Sequence, residues 1–301
     1  MKDLLNLRKD REVGVALSDI FSFIGQSGKP FGKILLYLVA PFYLLSSLAS
    51  GWGQYQIVNS VGDISTMIDP DDIFEIYASL PWFSIGLGML LQVLASAVMT
   101  SCIFLFIRTY EKNFHNEANG LEKAKEITVK DISSELWGHV AWVFGFTLIW
   151  LMMLFIASMF FLIPGIFLGT ATSLLFAVYF IEQKGFSESM SRSMELVRNN
   201  WWRTFGFWVL LFAVFWVFNL IISLPITIMG GEEALLGATG ITAIIVVIIQ
   251  TITIFISSML YVVFTVGSAI WYYSLVEKKE AVSLEHKIGS IGGKYNEDMF
   301  R

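Results

Sequence analysis

The sequence predicts an all-α, polytopic membrane protein with six transmembrane helices and amphipathic interfacial helices on the cytoplasmic side. Of its 301 residues, 55% are hydrophobic and only 15% are charged, whereas soluble domains carry about a quarter charged residues. The charged residues occur in blocks, and the uncharged runs between them are long enough to span a bilayer. All 20 Lys and Arg residues lie in blocks at 1–33, 108–130, 184–203 and 278–294, or at Arg301.

The chain divides into three parts. Residues 1–30 form an amphipathic lead, because Val13, Leu17, Ile20 and Ile24 recur at helical spacing. Residues 277–301 form a polar tail. Residues 31–276 form the transmembrane domain, with Pro41 expected to kink its first helix. The predicted spans are 31–50, 82–107, 140–163, 166–181, 204–227 and 241–276.

The longest uncharged run must contain a break. Residues 140–181 include no acidic or basic side chain, and one helix of this length would measure about 63 Å, roughly twice the hydrocarbon thickness. Pro164-Gly165 is the expected break, and it separates the third span from a short fourth span.

The distribution of charge predicts the orientation. With six spans, every basic block falls on one side, which the positive-inside rule assigns to the cytoplasm. Both termini are therefore expected in the cytoplasm, and the protein in a bacterial inner membrane. The opposite face carries acids and no bases: Asp63, Asp69, Asp71, Asp72, Glu75, Glu232 and Glu233.

The segment 181–207 is the most distinctive part of the sequence. Its apolar residues recur at spacings of three and four and predict one helix face, formed by Phe186, Met190, Met194, Val197 and Trp201. A charged helix that leads into a span is expected to lie along the membrane surface. Its basic and aromatic residues are candidate contacts to anionic lipid or to a partner protein: Arg192, Arg198, Trp201, Trp202 and Arg203. Simple anchoring of the span is the alternative interpretation.

A threefold pattern also emerges. An amphipathic segment followed by two spans occurs three times, and the segments end at Phe31-Gly32, Phe144-Gly145 and Phe205-Gly206. The first and third units match best. The pattern predicts an internal repeat of an interfacial helix and a transmembrane hairpin.

Particular stretches also point to a family. Residues 160–183 (FFLIPGIFLGTATSLLFAVYFIEQ) and 184–211 (KGFSESMSRSMELVRNNWWRTFGFWVLL) contain the Ile163-Pro164-Gly165 break, an amphipathic helix and the Trp201-Trp202 entry. The chain resembles the six-span membrane domain fused to some bacterial glycerophosphoryl diester phosphodiesterases, and related stand-alone membrane proteins. The catalytic barrel of those enzymes has no counterpart here. The resemblance to the stand-alone proteins implies a subunit of a membrane assembly.

The sequence offers little catalytic chemistry. Apart from Lys33 near the start of the first span, the predicted spans contain no acid, Lys, Arg or His, although proton-coupled transporters usually place such residues near the bilayer centre. No metal-ligand spacing, cofactor motif or nucleic-acid-binding pattern occurs. Uncharged polar residues remain, and they predict either a polar path through the bundle or hydrogen bonds between helices: Gln92, Asn219, Gln250, Thr253 and Ser257.

Two function classes follow from these features. The first is a non-enzymatic scaffolding subunit of a bacterial membrane complex, in contact with membrane lipids and other membrane subunits. The alternative is a transporter of lipids or small amphiphiles, resembling a flippase. An enzyme of lipid metabolism is disfavoured because no acid, base or metal set is available.

Overall fold

The described chain consists of helices and turns. The computed structural model describes residues 5–61, 78, 80–115, 127–160, 162–228 and 241–280, and no strand occurs among them. A π-helical turn, Leu35–Val39, joins the second and third helices. The α-helices are α1 (Val13–Gln26), α2 (Gly28–Ile34), α3 (Ala40–Val61), α4 (Trp82–His115), α5 (Val129–Phe160), α6 (Leu162–Ala171), α7 (Leu175–Ile181), α8 (Phe186–Arg198), α9 (Trp201–Ile228), α10 (Ile241–Met259) and α11 (Val262–Glu280).

Six helical segments in this part of the chain are long and apolar enough to cross a membrane. They are Gly28–Ile57, Trp82–Asn113, Val129–Met159, Ile163–Ile181, Trp201–Ile228 and Ile244–Glu280. The predicted all-helical class with six apolar segments is therefore confirmed, as expected of a multi-pass membrane protein. The predicted acidic loops at 63–75 and 230–233, and the tail after Glu280, lie outside the described residues.

Proline and turn residues divide the long apolar runs. α6 begins at Leu162, so Pro164 is its third residue, where a missing backbone N–H costs nothing. A turn at residues 172–174 separates α6 from α7, and a turn at Leu260 and Tyr261 separates α10 from α11. The π-helical turn ends two residues before Pro41 and includes Tyr37, whose carbonyl the ring of Pro41 would meet in a regular α-helix.

α4 is the central helix of the bundle. Within its most apolar stretch 61% of residues are buried, against 6% for α9. α3 packs antiparallel to α4, since Ser46 Oγ donates to Gln92 Oε1 at 2.9 Å and Tyr43 OH contacts Met99 Sδ at 3.8 Å. The core of the protein therefore surrounds the second half of α4.

Ionic contacts gather at one end of the bundle, which we call the ion-paired end. Arg8 Nε lies 2.6 Å from Glu111 Oε1, and the hydroxyl of Tyr273 donates to the other oxygen of Glu111. The Arg11 side chain is fully buried and pairs with Asp19 at 2.7 Å. Because Arg11 also donates to the backbone carbonyls of the segment before α1, its burial leaves no unpaired charge.

Candidate functional site

α8 packs through a face that the apolar pattern identified only in part, at Val197. Its buried residues are Ser189, Ser193, Leu196 and Val197, while Met190 and Met194 are only half-buried. Ser193 Oγ donates to the carbonyl of Ala171 at 2.9 Å and accepts the backbone N–H of Leu174 at 3.2 Å. The serine satisfies backbone groups left free at the turn between α6 and α7, so a small polar residue lies where methionine was expected.

Arg192 belongs to an ion-pair network on α8. It lies 3.1 Å from carboxylate oxygens of both Glu182 and Glu195, and it also contacts Glu280. Burial lowers the pKa of Arg192, but these hydrogen bonds outweigh that effect and raise it above its ordinary value. The structure thus gives Arg192 three carboxylate partners and separates it from the other four candidate lipid contacts.

Arg198, Trp201, Trp202 and Arg203 line one cavity of about 710 Å³. We call this cavity the basic pocket. Lys278 of α11 adds a third cation that the sequence interpretation did not select, and Lys278 Nζ donates to Asn200 Oδ1 at 2.8 Å. The remaining lining is formed by Asn199, Asn200 and three residues of α6: Ile163, Ile166 and Phe167.

The cations of the basic pocket differ in their partners. Arg203 lies 3.1 Å from Asp10 and its guanidinium carbon is 5.4 Å above the ring of Trp271. Arg198 is exposed and has no carboxylate partner in the described part of the chain. The pocket therefore holds excess positive charge beside an apolar wall.

A second cavity, of about 470 Å³, lies between α9 and α10 and contains all five residues of the predicted polar path. We call it the polar groove. Its lining comprises Gln92, Phe215, Asn219, Ser223, Ile226, Thr227, Gln250, Thr253, Ile254, Ser257, Ser258 and Tyr261. The structure thus brings together residues from three separate predicted spans; whether they form a path stays a prediction.

The polar groove has hydrogen-bonding groups but no charged side chain. Gln92 Nε2 donates to Ser258 Oγ at 3.1 Å, which connects α4 to α10. Asn219 Nδ2 donates to the carbonyl of Phe215 at 3.0 Å. Gln250 Oε1 is buried and has no hydrogen-bond partner among the described residues. Since buried polar atoms are normally paired, this oxygen is available to a ligand or to water.

An aromatic cavity of about 390 Å³ adjoins the groove through Tyr261, which lines both. Two of its polar atoms, Trp208 Nε1 and Ser173 Oγ, are buried without a described partner. The sequence interpretation did not select these residues, because they occur on separate spans and no spacing connects them. The lining is Thr100, Phe104, Trp150, Gly169, Thr170, Ser173, Phe176, Trp208, Phe212, Tyr261, Phe264, Thr265 and Ser268.

Metal-binding and nucleophilic groups are sparse in the described ranges. No group of three or more His, Cys, Asp or Glu residues there could hold a metal ion. His139 Nδ1 lies 3.1 Å from the hydroxyl of Tyr179, and the thiol of Cys102 is buried in α4.

Comparison with known proteins yields one similarity. Residues 135–275 match the family model "Domain of unknown function (DUF7847)", a region that runs from α5 into α11 and includes most of both cavities between the helices. No curated protein and no solved structure matches the chain. The match names no activity, and the resemblance to the phosphodiesterase-associated domain stays a prediction.

Proposed function

We propose that the protein is a non-enzymatic, multi-pass protein of a bacterial inner membrane that binds a lipid or small amphiphile within its helix bundle and moves it across the bilayer. The supporting observation is the junction at Tyr261, where the uncharged polar groove meets the aromatic cavity. An amphiphile needs both surfaces, one for its polar head and one for its apolar tail.

The unpaired atoms support this proposal. Gln250 Oε1 can accept a hydrogen bond from a head group, while Trp208 Nε1 can donate one. Because no charged side chain lines the polar groove, a neutral or zwitterionic head suits it better than an isolated ion. Removing these partners should therefore reduce transport of an amphiphile without removing the helices around it.

Transport can be measured with a fluorescent phosphatidylcholine analogue in vesicles that contain the purified protein. Leu replacements of Asn219 and Gln250 should reduce the protein-dependent flux at least tenfold. Gln54→Leu is the matched control, because it makes the same replacement on α3 at a residue that does not line the groove. Unchanged flux in the Asn219→Leu and Gln250→Leu variants would exclude the proposed route.

The proposed orientation places both termini in the cytoplasm, as the distribution of Lys and Arg favours. In a variant without Cys102, a cysteine introduced at Ser65 should react with an impermeant maleimide from outside the cell. A cysteine at Lys123 should react only from inside. The reverse pattern would contradict the orientation.

A role as a subunit of a membrane complex is the second proposal. α8 supports it, because ion pairs hold this helix while Ser187, Glu188 and Ser191 remain exposed. Such a fixed polar surface suits protein docking. Purification in mild detergent followed by mass measurement should reveal bound partners, and a stable lone monomer would count against this role.

A further inference from the structure

The middle of α6 lies at the ion-paired end of the bundle. Trp201, the first residue of α9, donates from Nε1 to the carbonyl of Phe167 at 3.4 Å. The same end holds Lys278, which bonds Asn200, and Arg203, which bonds Asp10. The part of α6 around Phe167 is therefore close to the charged groups of this end.

The direction of α9 confirms that these contacts belong to one end. Trp271 Nε1 donates to Thr204 Oγ1 at 3.0 Å, and further along α9 the ring of Phe215 lies 5.1 Å from that of Tyr261. α9 therefore runs antiparallel to α11 and away from the ion-paired end. Trp201 is the first residue of α9, so Phe167, which it contacts, cannot lie at the opposite end of the bundle.

The environment of α8 leads to the same conclusion. Ser193 bonds the turn between α6 and α7, yet Glu188, Glu195 and Arg198 on the same helix are exposed. If α6 and α7 together crossed the bilayer, these charges would lie near its hydrocarbon centre, where charged side chains are costly. α8 and the part of α6 that contacts it therefore lie near the headgroup layer.

We propose that the basic pocket binds the phosphate head group of an anionic phospholipid from the cytoplasmic leaflet, with the α6 residues that line the pocket in contact with its acyl chains. Arg198, Arg203 and Lys278 supply the positive charge, and Arg guanidinium groups bind phosphate oxygens in a bidentate manner. The positive-inside rule places this end of the bundle in the cytoplasm.

The lining of the pocket favours a lipid over free phosphate. Ile163 is 77% exposed and Trp202 is 78% exposed, so an apolar surface continues from the cations to the outside of the α5–α6 hairpin. Met159 extends this surface on α5. A phospholipid can place its phosphate among the cations and its acyl chains along these side chains, whereas inorganic phosphate would leave the apolar wall unused.

Cysteine labelling tests the position of the basic pocket, which Ile163 lines. In a variant without Cys102, Ile163→Cys should react with an impermeant maleimide from the cytoplasmic side of inverted vesicles. Cysteines introduced at Lys123 and Ser65 mark the inner and outer faces. Labelling of Ile163→Cys from the outer face would overturn the placement of the basic pocket in the cytoplasmic leaflet.

Lipid titration tests the binding site. Native mass spectrometry of the detergent-solubilised full chain, titrated with phosphatidylglycerol, should show at least a tenfold loss of affinity in Arg198→Gln/Lys278→Gln. The control Lys9→Gln/Lys130→Gln removes two exposed cations outside the pocket and should change affinity less than twofold. An equal loss in both pairs would indicate general charge attraction and overturn the site.

Two further titrations identify the ligand. Phosphatidylcholine should bind at least tenfold more weakly than phosphatidylglycerol, and inorganic phosphate should not displace bound phosphatidylglycerol. Equal binding of both lipids, or displacement by millimolar phosphate, would overturn the proposal. These results are independent of the flux through the polar groove, because no residue lines both cavities.

Discussion

The indole ring of Trp201 stacks on the phenyl ring of Phe167, with centroids 5.6 Å apart and an angle of 19° between the planes. Trp201 also stacks on Phe205, one turn later in α9. The start of α9 is thereby fixed to the middle of α6 although 34 residues separate the two partners. This contact closes one side of the basic pocket.

Breaking this stack should loosen the α5–α6 hairpin. Phe167→Ala and Trp201→Ala should each lower the thermal midpoint of unfolding in detergent, and a double-mutant cycle should give a coupling of about 0.5–1.5 kcal/mol. Phe155→Ala is the control, because Phe155 is an exposed ring on α5 of the same hairpin. A coupling of zero would mean that the two rings do not stabilise each other.

Ser193 should contribute more to the free energy of unfolding than the sequence pattern suggests. Ser193→Ala removes both hydrogen bonds to the turn between α6 and α7, so we expect a loss of about 1–3 kcal/mol in unfolding free energy. Ser191→Ala is a matched control on the exposed side of α8 and should change stability by less than about 0.5 kcal/mol. Equal effects in denaturant titrations would show that the two bonds contribute nothing.

The apolar segments were predictable, whereas the direction of α6 was not. Hydropathy identifies a helix that can enter a bilayer, because the cost of each charged residue is large and local. The turn that redirects the chain consists of Thr172, Ser173 and Leu174, none of which is Pro or Gly. Its position depends on the tertiary bonds from Ser193, which no local pattern reveals.

The same distinction applies to the cavities. Asn219 and Gln250 were identifiable because polar side chains are rare in apolar runs, but Tyr261 and Trp208 resemble ordinary packing residues in the sequence. The burial of Arg11 was also not predicted. Arg11 packs against a helix that is distant in the sequence, and its backbone N–H donates to Ser274 Oγ, 263 residues away. Residues with local signals were predicted, and those defined by distant partners were not.

Acid should weaken the attachment of α8. Burial raises the pKa of Glu182, but hydrogen bonds from Lys184, Arg192 and Tyr272 outweigh it and lower that pKa below the ordinary value of 4.5. A lowered carboxyl pKa contributes stability that is complete above the ordinary value and is lost as pH falls through the folded-state value. The thermal midpoint should therefore fall steeply below about pH 4.5 in the native protein.

Glu182→Gln should flatten this pH dependence, because the amide cannot titrate. Glu188→Gln is the control, since Glu188 is an exposed carboxylate on α8. Thermal unfolding monitored by circular dichroism at several pH values measures the difference. A profile for Glu182→Gln that is as steep as the native one would assign the acid sensitivity to other carboxylates.

Gly51 allows α3 to approach α10 closely. A methyl group at this position would overlap Oγ1 of Thr251 and come within 3.3 Å of its Cβ. Thr251 cannot move away freely, because it is β-branched and its hydroxyl donates to the carbonyl of Val247 at 2.8 Å. Gly51→Ala should therefore separate the two helices and cost about 1–3 kcal/mol in unfolding free energy.

Gly86→Ala provides the matched comparison for this substitution. Gly86 lies in α4 with no atom within 4 Å of an added methyl group, and Ala is a better helix former than Gly by about 1 kcal/mol. This variant should be as stable as the native protein or more stable, while Gly51→Ala should unfold at lower denaturant concentration. If both variants were equally stable, the close packing of α3 on α10 would not be a source of stability, because the methyl group would have been accommodated without loss.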